Sequence, residues 1–132
     1  EHPVYKYEVW KIIDEKENSK SILITREETA NGSKMCKIID FYGDLQDLGK
    51  IAHALDRLMD IRQYEYMDVY SYGVPTEVYE RGGFICCDEN SVNIVPNYFH
   101  PFVQQNIDLR MMEPTQKGVK MFRGDGDQDR PC

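Results

Sequence analysis

EYMDVYSYGVPTEVYERGGF, Glu65 to Phe84, is the stretch that decides the fold. Its first part alternates at period two. Tyr64, Tyr66, Asp68, Tyr70 and Tyr72 fall on one face, and Met67, Val69 and Ser71 on the other, so Glu65–Tyr72 reads as a strand. Pro75 suits a first helical turn, where its missing N–H is not needed. Gly82 or Gly83 can take the left-handed conformation that ends the helix. Phe84–Cys87 then reads as the next strand. The acid among the tyrosines supports two readings: Asp68 and Tyr70 as substrate contacts, or a Tyr–Asp hydrogen-bond network inside an interface.

Upstream, Val4–Ile13 is rich in β-branched and aromatic residues and reads as a strand, with Trp10 as a core or sheet-face anchor. Ser21–Arg26 is a second strand. Asn31-Gly32 is a hairpin turn signal, because both residues tolerate positive φ. Lys34–Tyr42 returns as a third strand, which completes an antiparallel meander. In Asp44–Ile61, Leu45, Leu48, Ala52, Leu55 and Met59 recur at steps of three and four, so one long helix is expected, capped by Asp44 and favoured by Asp47. A helix of that length between two strands implies a parallel crossover. Downstream, Val92–Val95, Asn106–Met111 and Val119–Phe122 are short strand candidates around the aromatic loop Asn97–Phe102. The fold class is α/β in the mixed-sheet, α+β sense. It runs as an antiparallel three-strand meander, a long helix, a parallel strand, a short helix and further strands.

With 132 residues and 41% hydrophobic content, the chain is expected to form one domain over 1–132, with 112–132 an irregular but ordered tail. No run of about 18 apolar residues predicts a membrane-spanning helix, and no signal peptide is visible. A net charge of −7 argues against nucleic acid and against anionic membrane surfaces as partners. Cys86 and Cys87 are adjacent, and Cys36 and Cys86 fall in expected strands; reduced thiols and a cytoplasmic location follow. Asp125, Asp127 and Asp129 have the spacing of a calcium loop, but Arg130 stands where such a loop needs Gly, so no metal site is assigned. An Asp-Gly turn held by Arg123 or Arg130 is expected instead.

The YExxGF pattern of Tyr79–Phe84 at the end of a helix resembles the last helix of the GNAT acyltransferase superfamily. The order of elements from Val4 to Cys87 is similar to that fold from its second strand onward. The resemblance implies transfer of an acyl group from acetyl-CoA or another acyl-CoA to an amine or hydroxyl, with sugar-linked acceptors among them. Tyr79 would be the general acid that protonates the thiolate; its alternative reading is a packed aromatic. Ile39, Phe41, Tyr42 and Gly43 would bind the cofactor, its pyrophosphate lying at the start of the long helix. Asp44 and Asp47 stand where the phosphates would sit, so the same turn also reads as an acid-capped helix start.

The resemblance also implies a missing first strand and helix pair, supplied by an upstream domain or a partner; the chain starts at Glu1 rather than Met. PNYFHPF and GDGDQDRP resemble a C-terminal module of bacterial proteins associated with surface-polysaccharide synthesis. Asn97, Tyr98, His100 and Asn106 would then contact sugar, or form a loop packed by its aromatics. A non-catalytic domain of the same fold, serving protein or glycan binding, is the alternative function.

Overall fold

A computed structural model describes residues 5–97, 102–107 and 118–126. Strands β1 (Tyr7–Ile13), β2 (Ser19–Ala30) and β3 (Ser33–Tyr42) form the antiparallel meander. The β2–β3 hairpin closes through Asn31 at φ 51 and Gly32 at φ 84, as the dipeptide requires. Helices α1 (Leu45–Lys50) and α2 (Ala52–Arg62) carry the chain across the sheet to β4 (Tyr66–Val69). β4 pairs parallel to β3, with Met35 opposite Tyr66 and Ile38 opposite Val69. The sheet is therefore mixed, in the order β1-β2-β3-β4. After one residue the chain forms β5 (Ser71–Tyr72), then α3 (Thr76–Arg81), and β5 pairs antiparallel with β6 (Met121–Phe122). A 3-10 turn, Arg123–Asp125, follows β6.

Several expectations are corrected, the strand Glu65–Tyr72 among them, which breaks at Tyr70 into β4 and β5. The long helix is two, because Ile51 leaves helical geometry at φ −90, ψ 8. The break lets α1 tuck against α3, where a Cβ on Gly49 would stand 3.0 Å from the Val78 carbonyl oxygen. Pro75 is the residue before the helix rather than its first turn.

Phe84–Cys87 is not a strand. Gly83, at φ 79, turns Phe84 back so that its N–H donates to the Tyr79 carbonyl at 3.0 Å, and Ile85 is left 72% exposed. Val92–Val95 is irregular, with Val92 almost fully exposed; of the later candidates, Asn106 and Ile107 are not in a strand and only Met121–Phe122 of Val119–Phe122 is. Residues 108–111 lie outside the described residues, as does most of the 112–132 tail.

Burial separates the strands. β1 alternates exposed and half-buried residues along its whole length, whereas Met35–Phe41 of β3 are buried without a break. A strand reads that way only when both faces of the sheet are covered. One cover is the helical core of Leu23, Ile38, Phe41, Leu45, Leu48, Leu55 and Val78, with Trp10, Met67 and Val69 packed against it. The Trp10 indole N–H donates to Thr25 Oγ1 at 2.8 Å. The other cover lies over β3 and β4 and comes from the end of the chain. Along β6 and its turn successive side chains point to opposite sides. Phe122 enters the core against Phe41, and Arg123 reaches the far face.

Gly43 shows how tightly the meander meets α1. At φ 134 it sits where a Cβ would overlap the Ser21 side chain, while Gly32 has open space around it. Gly43→Ala should destabilise the protein by ~2–3 kcal/mol through strain and overlap together. Gly32→Ala should cost about 1 kcal/mol, the backbone term alone. Urea unfolding of both variants checks the order.

Candidate functional site

The second cover is built on one carboxylate. The β3–β4 register sets Asp68 directly opposite Lys37, and Arg26 lies opposite Lys37 on the other side. Cross-strand partners share a face, so these three form a row. Lys37 Nζ donates to Asp68 Oδ2 at 3.1 Å, and Arg123 Nη2 donates to Asp68 Oδ1 at 3.1 Å. Arg123 Nη1 donates to Asn97 Oδ1 at 2.9 Å, and its guanidinium lies 4.4 Å from the centre of the Tyr70 ring. The Tyr70 hydroxyl donates to the Val95 carbonyl at 3.2 Å. Lys37, Asp68, Asn97 and Arg123 are all buried, and Arg26 pairs with Glu28 alongside them.

Burial brings the Lys37 ammonium down to about 8, Asp68 pulling the other way and Arg123 reinforcing the fall. Burial also pushes the Tyr66 and Tyr70 phenols up, with the Asp68 charge adding to it. An amine poised near neutrality beside a carboxylate has the chemistry of an acid–base pair. No solvent reaches it, however: both the Lys37 and Arg123 side chains are 0% exposed. The arrangement works as a clasp that ties the Val95–Asn97 loop and the Arg123 turn to the sheet. Arg123 Nε, Asn97 Nδ2 and the Tyr66 hydroxyl have no hydrogen-bond partner within it.

The residues expected to contact substrate therefore face inward. Asp68, Tyr70 and Asn97 are brought together as members of the clasp. Asn106 joins neighbouring loops: its Oδ1 accepts from the Val95 N–H at 2.7 Å, and its Nδ2 donates to the Asp88 and Asn93 carbonyls at 2.9 and 2.8 Å. Tyr98 and His100 lie outside the described residues.

The residues expected to hold a cofactor are distributed differently. Ile39 and Phe41 are buried at the end of β3 under the β6 turn. A Cβ on Gly124 would stand 3.2 Å from Ile39 Cγ2 and from its carbonyl oxygen, and the Phe122 ring lies 6.3 Å from that of Phe41, tilted by 47°. The Phe41 N–H donates to Asp40 Oδ1 at 2.8 Å. Tyr42 is exposed, with Asp40 beside its hydroxyl pushing the phenol up. At the start of α1, Asp44 accepts from the Gln46 N–H at 3.0 Å. Asp47 accepts from Ser21 Oγ at 2.9 Å and from Lys50 Nζ at 3.2 Å, so both acids act within the helix start.

Tyr79 is half-buried on α3, edge-on to Phe84, and its hydroxyl shares a hydrogen bond of 2.5 Å with Ser71 Oγ. Burial pushes its phenol up, so it is protonated at neutral pH.

Sequence reasoning missed Lys37 and assigned Arg123 to its own turn, which Asp125 holds by accepting from the Phe122 N–H at 2.9 Å. The available signal for Lys37 was a lone cation at the centre of an apolar strand. Among the described residues no three potential metal ligands gather, and no helix is long and apolar enough to cross a membrane. A shallow cleft of about 440 Å³ at the hairpin end of β3, lined by Lys34, Asp60, Gln63 and Glu65 among others, contains none of the expected site residues. No family model, curated protein or solved structure matches the chain.

The clasp has a pH signature. Lys37 loses its proton near pH 8 in the folded protein and near 10.5 when unfolded. Between those values the unfolded chain binds more protons, so stability rises with pH as the costly buried charge is removed. The stability of the wild type relative to Lys37→Met should therefore increase between pH 7 and pH 9.5; a flat difference would show that Lys37 carries no such charge. Cys36, pushed up by burial from its ordinary value of 9.0 to about 12, acts in the opposite direction above pH 9 but is common to both proteins. Asp68→Asn removes the counter-charge of two buried cations and should cost ~3–5 kcal/mol in urea unfolding.

Proposed function

We propose that this chain is a GNAT-like domain whose role is protein assembly rather than acyl transfer. Support for the GNAT-like frame is the antiparallel meander feeding a parallel β3–β4 pair through helices, followed by α3 with Tyr79. The observation that carries the non-catalytic reading is the seat of Phe122–Gly124 on Ile39 and Phe41, two of the residues that the resemblance assigns to the cofactor. The acids at the start of α1 support it, since each accepts hydrogen bonds where a pyrophosphate would need donors. A glycan role has less support, because Asp68, Tyr70, Asn97 and Asn106 bond within the fold. An association with surface-polysaccharide proteins rests on the sequence phrases alone. We place the protein in the cytoplasm, where Cys36, Cys86 and Cys87 would persist as the free thiols they are here.

One observation favours catalysis. The Tyr79 phenol, protonated and paired to Ser71, has the state a general acid requires. Calorimetric titration with acetyl-CoA separates the two readings. The assembly reading expects no saturable heat and no thermal shift. One-site binding, together with turnover lost in Tyr79→Phe at unchanged stability, overturns it.

A further inference from the structure

Neither the clasp nor the assembly reading uses the adjacent thiols Cys86 and Cys87. Both are free, Cys86 exposed and Cys87 half-buried. Cys36 is the contrast: it is 1% exposed, and burial pushes its thiol up to about 12, which leaves it inert. The segment that carries the pair is fixed at both ends. Before it, the Phe84 N–H donates to the Tyr79 carbonyl at 3.0 Å, and the two rings meet edge-on. After it, the Asp88 N–H donates to Ser91 Oγ at 2.9 Å, and the Asp88 carbonyl accepts from Asn106 Nδ2 at 2.9 Å. Between those anchors the chain is in no strand. The pleat that sends successive side chains to opposite faces is therefore not imposed, and both sulfurs can turn to one side. Cys87 also stands close enough to Tyr70 to add to the rise of that phenol, so the pair has protein on one side and solvent on the other.

Geometry decides what such a pair can do. Cα atoms joined by a trans peptide are about 3.8 Å apart, shorter than the ~4.4–6.8 Å that a disulfide spans. A bond between these two sulfurs would be strained and readily reduced. A metal ion set between them relaxes the constraint. Two bonds of about 2.3 Å each let the sulfurs stand up to about 4.6 Å apart, against about 2.0 Å in a disulfide. Softness selects the ion. The next residue, Asp88, is turned to its own loop, its Oδ1 accepting from the Asn90 N–H at 2.9 Å and from Ser91 Oγ at 3.0 Å. Two thiolates, with no third ligand gathered among the described residues, suit a soft monovalent cation. Zinc takes four ligands in a structural site, and calcium takes oxygens. We propose that Cys86 and Cys87 together bind one copper(I) ion as a two-coordinate bis-thiolate. Each thiol releases its proton to solvent as its metal–sulfur bond forms, and the oxidation state of the metal does not change. Affinity therefore rises with pH.

Anaerobic titration with copper(I), in competition with a chromophoric copper(I) chelator, tests the pair on the whole chain carrying Cys132→Ser, which removes the remaining cysteine from the count. One ion should bind per chain. Adding Cys86→Ser or Cys87→Ser should lower the affinity about a hundredfold or more, because a lone thiolate lacks the second attachment. Copper(I) should also raise the melting temperature of the parent and leave that of both variants unchanged. Cys86 is exposed, so Cys86→Ser carries the test even where Cys87→Ser loosens the half-buried side. A chelator that keeps all of the copper overturns the inference. So does a serine variant that binds as tightly as its parent, which would mark one reactive thiol rather than a pair.

Discussion

The Asp68 carboxylate is the constraint around which the described fold is organised. It receives Lys37 on one oxygen and Arg123 on the other, residues 31 and 55 positions away in sequence. No other polar group described here joins the centre of the sheet, the parallel strand and the end of the chain. Buried ion clusters add little net stability, because desolvation offsets most of the attraction. What this one supplies is position. Arg123 has a flat guanidinium that lies over Tyr70 and forks between Asp68 and Asn97. Lys37 is a point charge that sheds its proton readily when dry, and it absorbs the electrostatic cost of the site. The two cations are not interchangeable.

The clasp explains the burial of β3. A central strand flanked by an antiparallel and a parallel neighbour needs cover on both faces, and among the described residues helices lie on only one of them. Phe122 and Arg123, adjacent residues on opposite sides of one extended segment, close both ends of the gap at once. Phe122 completes the apolar side against Phe41, and Arg123 completes the polar side on Asp68.

Local chemistry was legible in the sequence where it acts over a few residues. Asn31-Gly32 specified its hairpin and Asp44 a helix start, while the alternation around Asp68 specified β4 but not the break at Tyr70 that splits Glu65–Tyr72 between two sheets. The parallel register of β4 followed from the length of the crossover. What was not legible depends on contacts far away in sequence. The break at Ile51 answers to α3 pressing on Gly49, and nothing in the helical period of Leu45–Met59 records that. Four apolar residues from Phe84 to Cys87 look like a strand, yet Phe84 was captured by Tyr79 once Gly83 turned the chain. The candidate site residues were chosen as polar or aromatic types fit to touch a ligand. Asp68, Tyr70 and Asn97 are such types, but the cations that turn them inward lie elsewhere in the chain.

The start of α1 carries the same lesson into function. A helix N-terminus attracts an anion because its first N–H groups lack partners. Here the chain supplies its own anions. Asp44 takes the Gln46 N–H, and Asp47 is fixed by Ser21 from β2 and Lys50 from the next turn. Ser21 also lies where a Cβ on Gly43 would go, so the glycine that could admit a phosphate admits a side chain of the protein instead. A pyrophosphate entering this turn would have to displace a carboxylate from each of these positions against like charge. Glycine at a strand-to-helix turn is therefore an ambiguous signal. Its freedom serves close approach of any kind, and the neighbouring residues decide whether a ligand or the fold itself makes that approach.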